Sequence, residues 1–96
     1  MTFHAQALVR TTTPARYGAE IARDLGGEFE TEWSAEAGFI KLPDGVCDMH
    51  SWPEGLRLDA FADSAAGLTR IEETVQKQLT RSSDALSVEW YLRPNT

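Results

Sequence analysis

Ninety-six residues, 42% of them hydrophobic, suit one folded domain with a modest core, because a chain of this size buries roughly 60–70% of its unfolded surface. A formal net charge of −6 argues against non-specific nucleic-acid binding and against anionic membrane surfaces, which both need clustered Lys and Arg. The single cysteine, Cys47, has no internal disulfide partner, no leader is visible in Met1-Thr-Phe-His-Ala-Gln, and no run nears ~20 apolar residues, so the expected location is the cytoplasm.

Thr2 to Thr11 alternates Phe3, Ala5, Ala7 and Val9 against His4, Gln6 and Arg10, with Leu8 breaking the polar set. That period of two predicts a first strand. Thr13 before Pro14 marks a helix start, since the hydroxyl can accept an orphan amide proton and proline suits the first helical position. The helix is expected to reach about Leu25 with Tyr17 or Gly18, Ile21, Ala22 and Leu25 inward. Gly26-Gly27 should end it, because glycine takes the left-handed conformation cheaply. Glu28 to Ser34 alternates again, and burying Phe29 and Trp33 fits better than burying Glu28, Glu30 and Glu32. Glu36-Ala37-Gly38 is expected to turn this second strand into a third, Phe39 to Leu42.

Pro43-Asp44-Gly45 and Pro53-Glu54-Gly55 are turns, and they bracket strands at Val46 to Trp52 and Leu56 to Ala62. Connections this short make the strands antiparallel neighbours. Asp63-Ser64 should cap a second helix, where Leu68, Ile71, Val75 and Leu79 recur at helical spacing. Arg70, Glu72, Glu73, Lys77 and Arg81 fill its other face. Ser82-Ser83-Asp84 should break it, and Leu86, Val88, Trp90 and Leu92 alternate as a last strand before Pro94-Asn95-Thr96.

The expected class is therefore α+β, one domain over residues 1–96 in the order β-α-β-β-β-β-α-β, with both helices on one face of an antiparallel sheet. Two helices cannot cover both faces of six strands, so the other face stays open. The pleat assigns Phe3, Val9, Ile40, Leu42, Cys47, Met49, Leu56, Leu58, Ala60, Leu86, Val88 and Trp90 to the core. It sends His4, Gln6, Arg10, Phe39, Lys41, Asp48, His50, Trp52, Arg57, Asp59, Phe61, Glu89 and Tyr91 outward. One reading is a solvated face laced with charge pairs. The other is a recognition or dimer surface, with Phe39, Trp52 and Phe61 in one apolar patch rimmed by Lys41, Arg57 and Asp59, and His50 nearby.

No residue set demands catalysis. Cys47, Met49 and His50, with His4, suggest a soft-metal site, but strand alternation points 47 and 49 to one side and 50 to the other. Asp48 would raise the Cys47 thiol pKa, which suits a buried structural cysteine rather than a nucleophile. Asp48 and Asp59 could pair across a hairpin as acid and base, yet Arg57 stands ready to neutralise them. The expectation is a non-enzymatic domain with no catalytic residue, metal or cofactor.

Pro14-Ala-Arg-Tyr, Phe29-Glu-Thr-Glu-Trp, Gly38-Phe-Ile-Lys-Leu-Pro, Gly45-Val-Cys, the helix Leu68-Thr-Arg-Ile-Glu-Glu-Thr-Val-Gln-Lys-Gln-Leu and Val88-Glu-Trp follow one another in an order that resembles the bacterial domain of unknown function 2218 family. Each piece is short; their order and spacing over nearly the whole chain carry the match. In that family the domain stands alone or is attached to flavin-dependent siderophore-interacting reductases. The resemblance implies an accessory role in siderophore-iron use, through such a reductase, self-association or a small ligand. It assigns no role to Gly45 or Cys47, and His50 and Trp52 match no family position. Left open beside it are a structural homodimer and a reductase helper with a weak metal or catalytic role. The element order is also similar to the repeat of TATA-binding-protein-like folds, an analogy of fold alone.

Overall fold

Alternation in the sequence becomes a single sheet in the computed structural model, which describes residues 2–82 and 88–93. The strands are β1 (Phe3–Arg10), β2 (Glu30–Ser34), β3 (Ala37–Leu42), β4 (Gly45–Trp52), β5 (Gly55–Ala62) and β6 (Trp90–Arg93). Helix α1 (Pro14–Leu25) follows β1, and α2 (Ala65–Ser82) follows β5. The six strands lie in the order β2-β3-β4-β5-β1-β6, with every pair antiparallel. Hairpins generate β2 to β5. Helix α1 carries the chain from β1 across the sheet to its far edge, which leaves β1 free to pair with β5.

Both helices pack on one face, α1 over β2 to β5 and α2 over β4, β5 and β1. Between them and the sheet lie Val9, Ile40, Cys47, Met49, Leu56, Leu58 and Ala60, joined by Ile21, Leu68, Ile71, Val75 and Leu79. Phe3, Leu42, Val88 and Trp90, expected in the core, are half-buried and pack on its rim. Phe29 and Trp33 do the same, with Glu28, Glu30 and Glu32 in solvent. Leu86 and the Ser83-Asp84 break lie outside the described residues, as does the Pro94-Asn95-Thr96 tail.

Helix ends differ from the sequence reading in two places. Thr13 caps nothing with its side chain; the Thr11 hydroxyl instead accepts the Thr13 amide at 3.1 Å, while Pro14 takes the first helical position. At the other end Gly26 is right-handed, at φ −65°, and Gly27 also keeps a negative φ. The terminus is closed by the Thr31 hydroxyl donating to the Ala22 carbonyl at 2.7 Å, and a side chain at 26 would crowd both groups. Ser64 behaves as expected, accepting the Gly67 amide at 2.9 Å to cap α2.

The third strand also starts earlier than its glycine suggests. Ser34 pairs with Ala37, so the turn is Ala35-Glu36, and Ala35 holds a left-handed φ of 55°. Gly38 is a strand residue beside Trp33, and Gly18 on α1 is its counterpart above the same indole. A methyl at either position would collide with Trp33. These glycines accept a helix or strand penalty of about 0.5–1 kcal/mol to seat a large ring at the sheet edge.

Candidate functional site: the open sheet face

Strand register lays the outward side chains in rows. One row runs Glu32, Phe39, Asp48, Asp59, Gln6 and Tyr91 across β2-β3-β4-β5-β1-β6. Beside it, Glu30, Lys41, Val46, Phe61, His4 and Arg93 form a second. On the other flank come His50, Arg57 and Leu8, and beyond them Trp52, Gly55 and Arg10. All the sequence-predicted site residues (Phe39, Lys41, His50, Trp52, Arg57, Asp59 and Phe61) thus share the face away from the helices. Cys47 and Met49 point oppositely, into the core.

The three aromatics do not form one patch. Phe39 and Phe61 occupy neighbouring rows on strands separated by β4, and Trp52 stands at the far end of β4, beyond the His50 row. Each meets a different polar group instead. The Lys41 ammonium lies 5.7 Å from the Phe39 ring centre, and the His4 imidazole stacks on Phe61 at 4.4 Å. Trp52 takes the Arg57 guanidinium over its ring at 5.4 Å and the His50 ring edge-on at 5.9 Å.

Asp59 organises the centre. Its Oδ1 accepts His4 Nε2–H at 2.8 Å and Gln6 Nε2–H at 3.1 Å, and its Oδ2 accepts Arg57 Nε–H at 3.0 Å. Only 16% of the Asp59 side chain is exposed. A carboxylate so enclosed is retained only because charged and amide donors satisfy it. Asp48 faces it directly across β4–β5 without such donors among the described residues, and burial, then the Asp59 charge, raise the Asp48 pKa. Burial first, and then both carboxylates, push the Cys47 thiol far above its ordinary range, which leaves it unsuited to nucleophilic attack. Arg57 satisfies Asp59 alone, so the expected neutralisation covers half of the pair.

Asp48 supplies a first test. A raised pKa means the folded chain holds the proton more tightly than the unfolded chain, so the ionised group opposes folding at neutral pH and stops doing so in acid. Asp48→Asn should therefore gain a few tenths of a kcal/mol at pH 7. The advantage should vanish as pH falls below the usual carboxylate range. Urea denaturation at both pH values checks it; an acid-independent gain would place its origin elsewhere.

A shallow open hollow of about 290 Å³ lies at the Trp52 end of the face, lined by Trp52, Arg57, Leu8, Gln6, Tyr91, Glu54 and the Ala7 backbone strand. Trp52 and Tyr91 are 44% and 57% exposed. Two of the seven sequence-predicted residues, Trp52 and Arg57, line it; His50 and Asp59 brace them, while Phe39, Lys41 and Phe61 lie outside it. In the sequence Leu8 breaks the polar set of the first strand and Gln6, Trp52, Arg57 and Tyr91 fall in the outward set, but alternation alone does not bring them side by side.

One six-stranded antiparallel sheet with both helices on one face and an aromatic-bearing face left open defines a small α+β fold class. Residues 6–91 match the family described as "Uncharacterized protein conserved in bacteria" (DUF2218), and the chain belongs to that family. Among solved structures it is similar to PA4090 from Pseudomonas aeruginosa, determined by NMR, with 26% identity and a TM-score of 0.77 over 93% of this chain and 95% of that one. No curated protein matches the chain. Among the described residues, no helix is long and apolar enough to cross a membrane.

Proposed function

We propose that this chain is a non-enzymatic accessory domain whose open sheet face recognises a partner or small ligand, in support of siderophore-iron use. The observation that carries the reading is Trp52, large and exposed, held in place by an Arg57 that Asp59 itself fixes. Preorganised Trp and Arg side chains are the residues that dominate recognition surfaces. The iron link comes from the family resemblance and its association with siderophore-interacting reductases.

Calorimetric titration of the full chain with a flavin-dependent siderophore-interacting reductase tests both parts. Binding should weaken at least about tenfold in Trp52→Ser, with the chain's own stability shifted by no more than about 0.5 kcal/mol. No binding by the wild type would remove the reductase link, and an unaffected variant would remove the face. A second reading is favoured by the charge layout: Glu30 and Glu32 mark the β2 side of the face, Arg10 and Arg93 the opposite side. Two copies stacked face to face about a two-fold axis would pair those edges. A dimer in light scattering that Glu32→Lys dissociates would support that arrangement.

A further inference from the structure

We propose that the hollow beside Trp52 binds a small aromatic carboxylate, a ligand class that narrows, and rests on, the reading of this face as a recognition surface. Its lining comes from both sides of β1: Trp52, Glu54 and Arg57 from the β4–β5 hairpin, and Tyr91 from β6 opposite Gln6. Leu8 gives the space an apolar floor, with Trp52 and Tyr91 standing at its sides. At about 290 Å³ it sits at the lower end of small-molecule sites, enough for one ring and a short substituent.

Arg57 supplies the polar anchor. Its Nε–H is committed to Asp59 and its plane lies over the Trp52 ring, while among the described residues nothing else engages the two terminal nitrogens. A guanidinium fixed in this way presents a fork that fits a carboxylate with two parallel hydrogen bonds. Glu54 on the same rim opposes a second negative charge. The site therefore favours a monoanion over a phosphate or a polyanion. The apolar floor and the flanking rings favour a flat unsaturated body over a sugar.

Titrations of the full-length chain with benzoate, benzamide and cyclohexanecarboxylate, followed by amide and indole NMR shifts, test each element. Benzoate should perturb Trp52, Leu8, Arg57 and Tyr91 and bind about tenfold more tightly than benzamide, the difference a charged hydrogen-bond pair makes. Cyclohexanecarboxylate should bind severalfold more weakly than benzoate. Arg57→Gln should erase the preference for benzoate over benzamide. If that variant misfolds, Arg57→Lys, which keeps the charge and loses the fork, should still cut benzoate affinity severalfold. Equal binding of benzoate and benzamide, equal binding of cyclohexanecarboxylate, shifts centred elsewhere, or silence at saturating probe would each overturn the assignment. Silence with benzoate beside Trp52-dependent binding of the reductase would sink the ligand class and leave the face standing; loss of both would sink the face as well.

Discussion

Ile71→Ala should lower the stability of the fold by about 2–4 kcal/mol, through lost apolar contacts and the cavity left behind. Ile71 is fully buried where α2 crosses the sheet, between Leu68 and Val75 on the same helical stripe, both also buried. The sheet beneath is a rigid antiparallel floor of Leu56, Leu58 and Ala60 from β5, so the site has little room to collapse. For a domain of this size such a loss corresponds to roughly 8–32 °C in Tm. Leu92→Ala is the matched control. Leu92 is 71% exposed on β6, and its truncation should change stability by less than about 0.5 kcal/mol. An Ile71→Ala effect as small as that of Leu92→Ala would mean α2 does not seat on the sheet.

Much of this architecture is legible in the residues because each strand and helix repeats its own period. The stripe Leu68, Ile71, Val75 and Leu79 reads as one helix face from spacing alone, and it is buried throughout. Outward and inward sets on β3, β4 and β5 follow from alternation, since a one-residue slip would move every side chain to the wrong face. The failures are of another kind. Gly38 and Gly26 look like turn and cap residues, but a side chain at 38 would collide with Trp33 and one at 26 would crowd Thr31, while Gly27 has open space around it. Local propensity cannot report a collision with a residue on another element.

The candidate site was legible in part for the same reason. Facing is a local property; position along the face is not. Trp52, Phe39 and Phe61 share a side but lie in different rows, and the rows exist only once register is known. The Asp59 hub depends on β1 lying beside β5, a pairing across more than fifty residues: the His4–Asp59 bond has a sequence separation of 55. That neighbour relation follows from where α1 delivers the chain. Gln6, Trp52, Arg57 and Tyr91 read as outward and Leu8 as a break in the polar set, but their meeting in one hollow needs the register of β4, β5, β1 and β6.

Gly55→Ala should cost about 2–5 kcal/mol and deform the hollow without altering any side chain that lines it. Gly55 has a φ of +155°, and a methyl there would lie inside van der Waals contact of the Val9 carbonyl oxygen on β1. The positive φ costs an L-residue about 1–2 kcal/mol, and forcing a methyl against fixed backbone adds about 1–3 kcal/mol. Relief requires β1 to move away from β5 at the end where Arg10 pairs with Gly55 and Leu8 with Arg57. Those pairs frame the hollow, so amide shifts should spread from Leu8 to Trp52 and benzoate binding should fall. Gly45→Ala provides the comparison. Gly45 has nearly the same φ, +156°, and its methyl would collide with the Phe61 carbonyl at the opposite end of β5. Its stability cost should match, since the same two effects operate. Its consequences for the hollow should not, because Phe61 belongs to the row with His4 and Val46. Equal loss of benzoate binding in both variants would show that affinity tracks global stability rather than the seating of β1 on β5 at the Leu8–Arg57 pair.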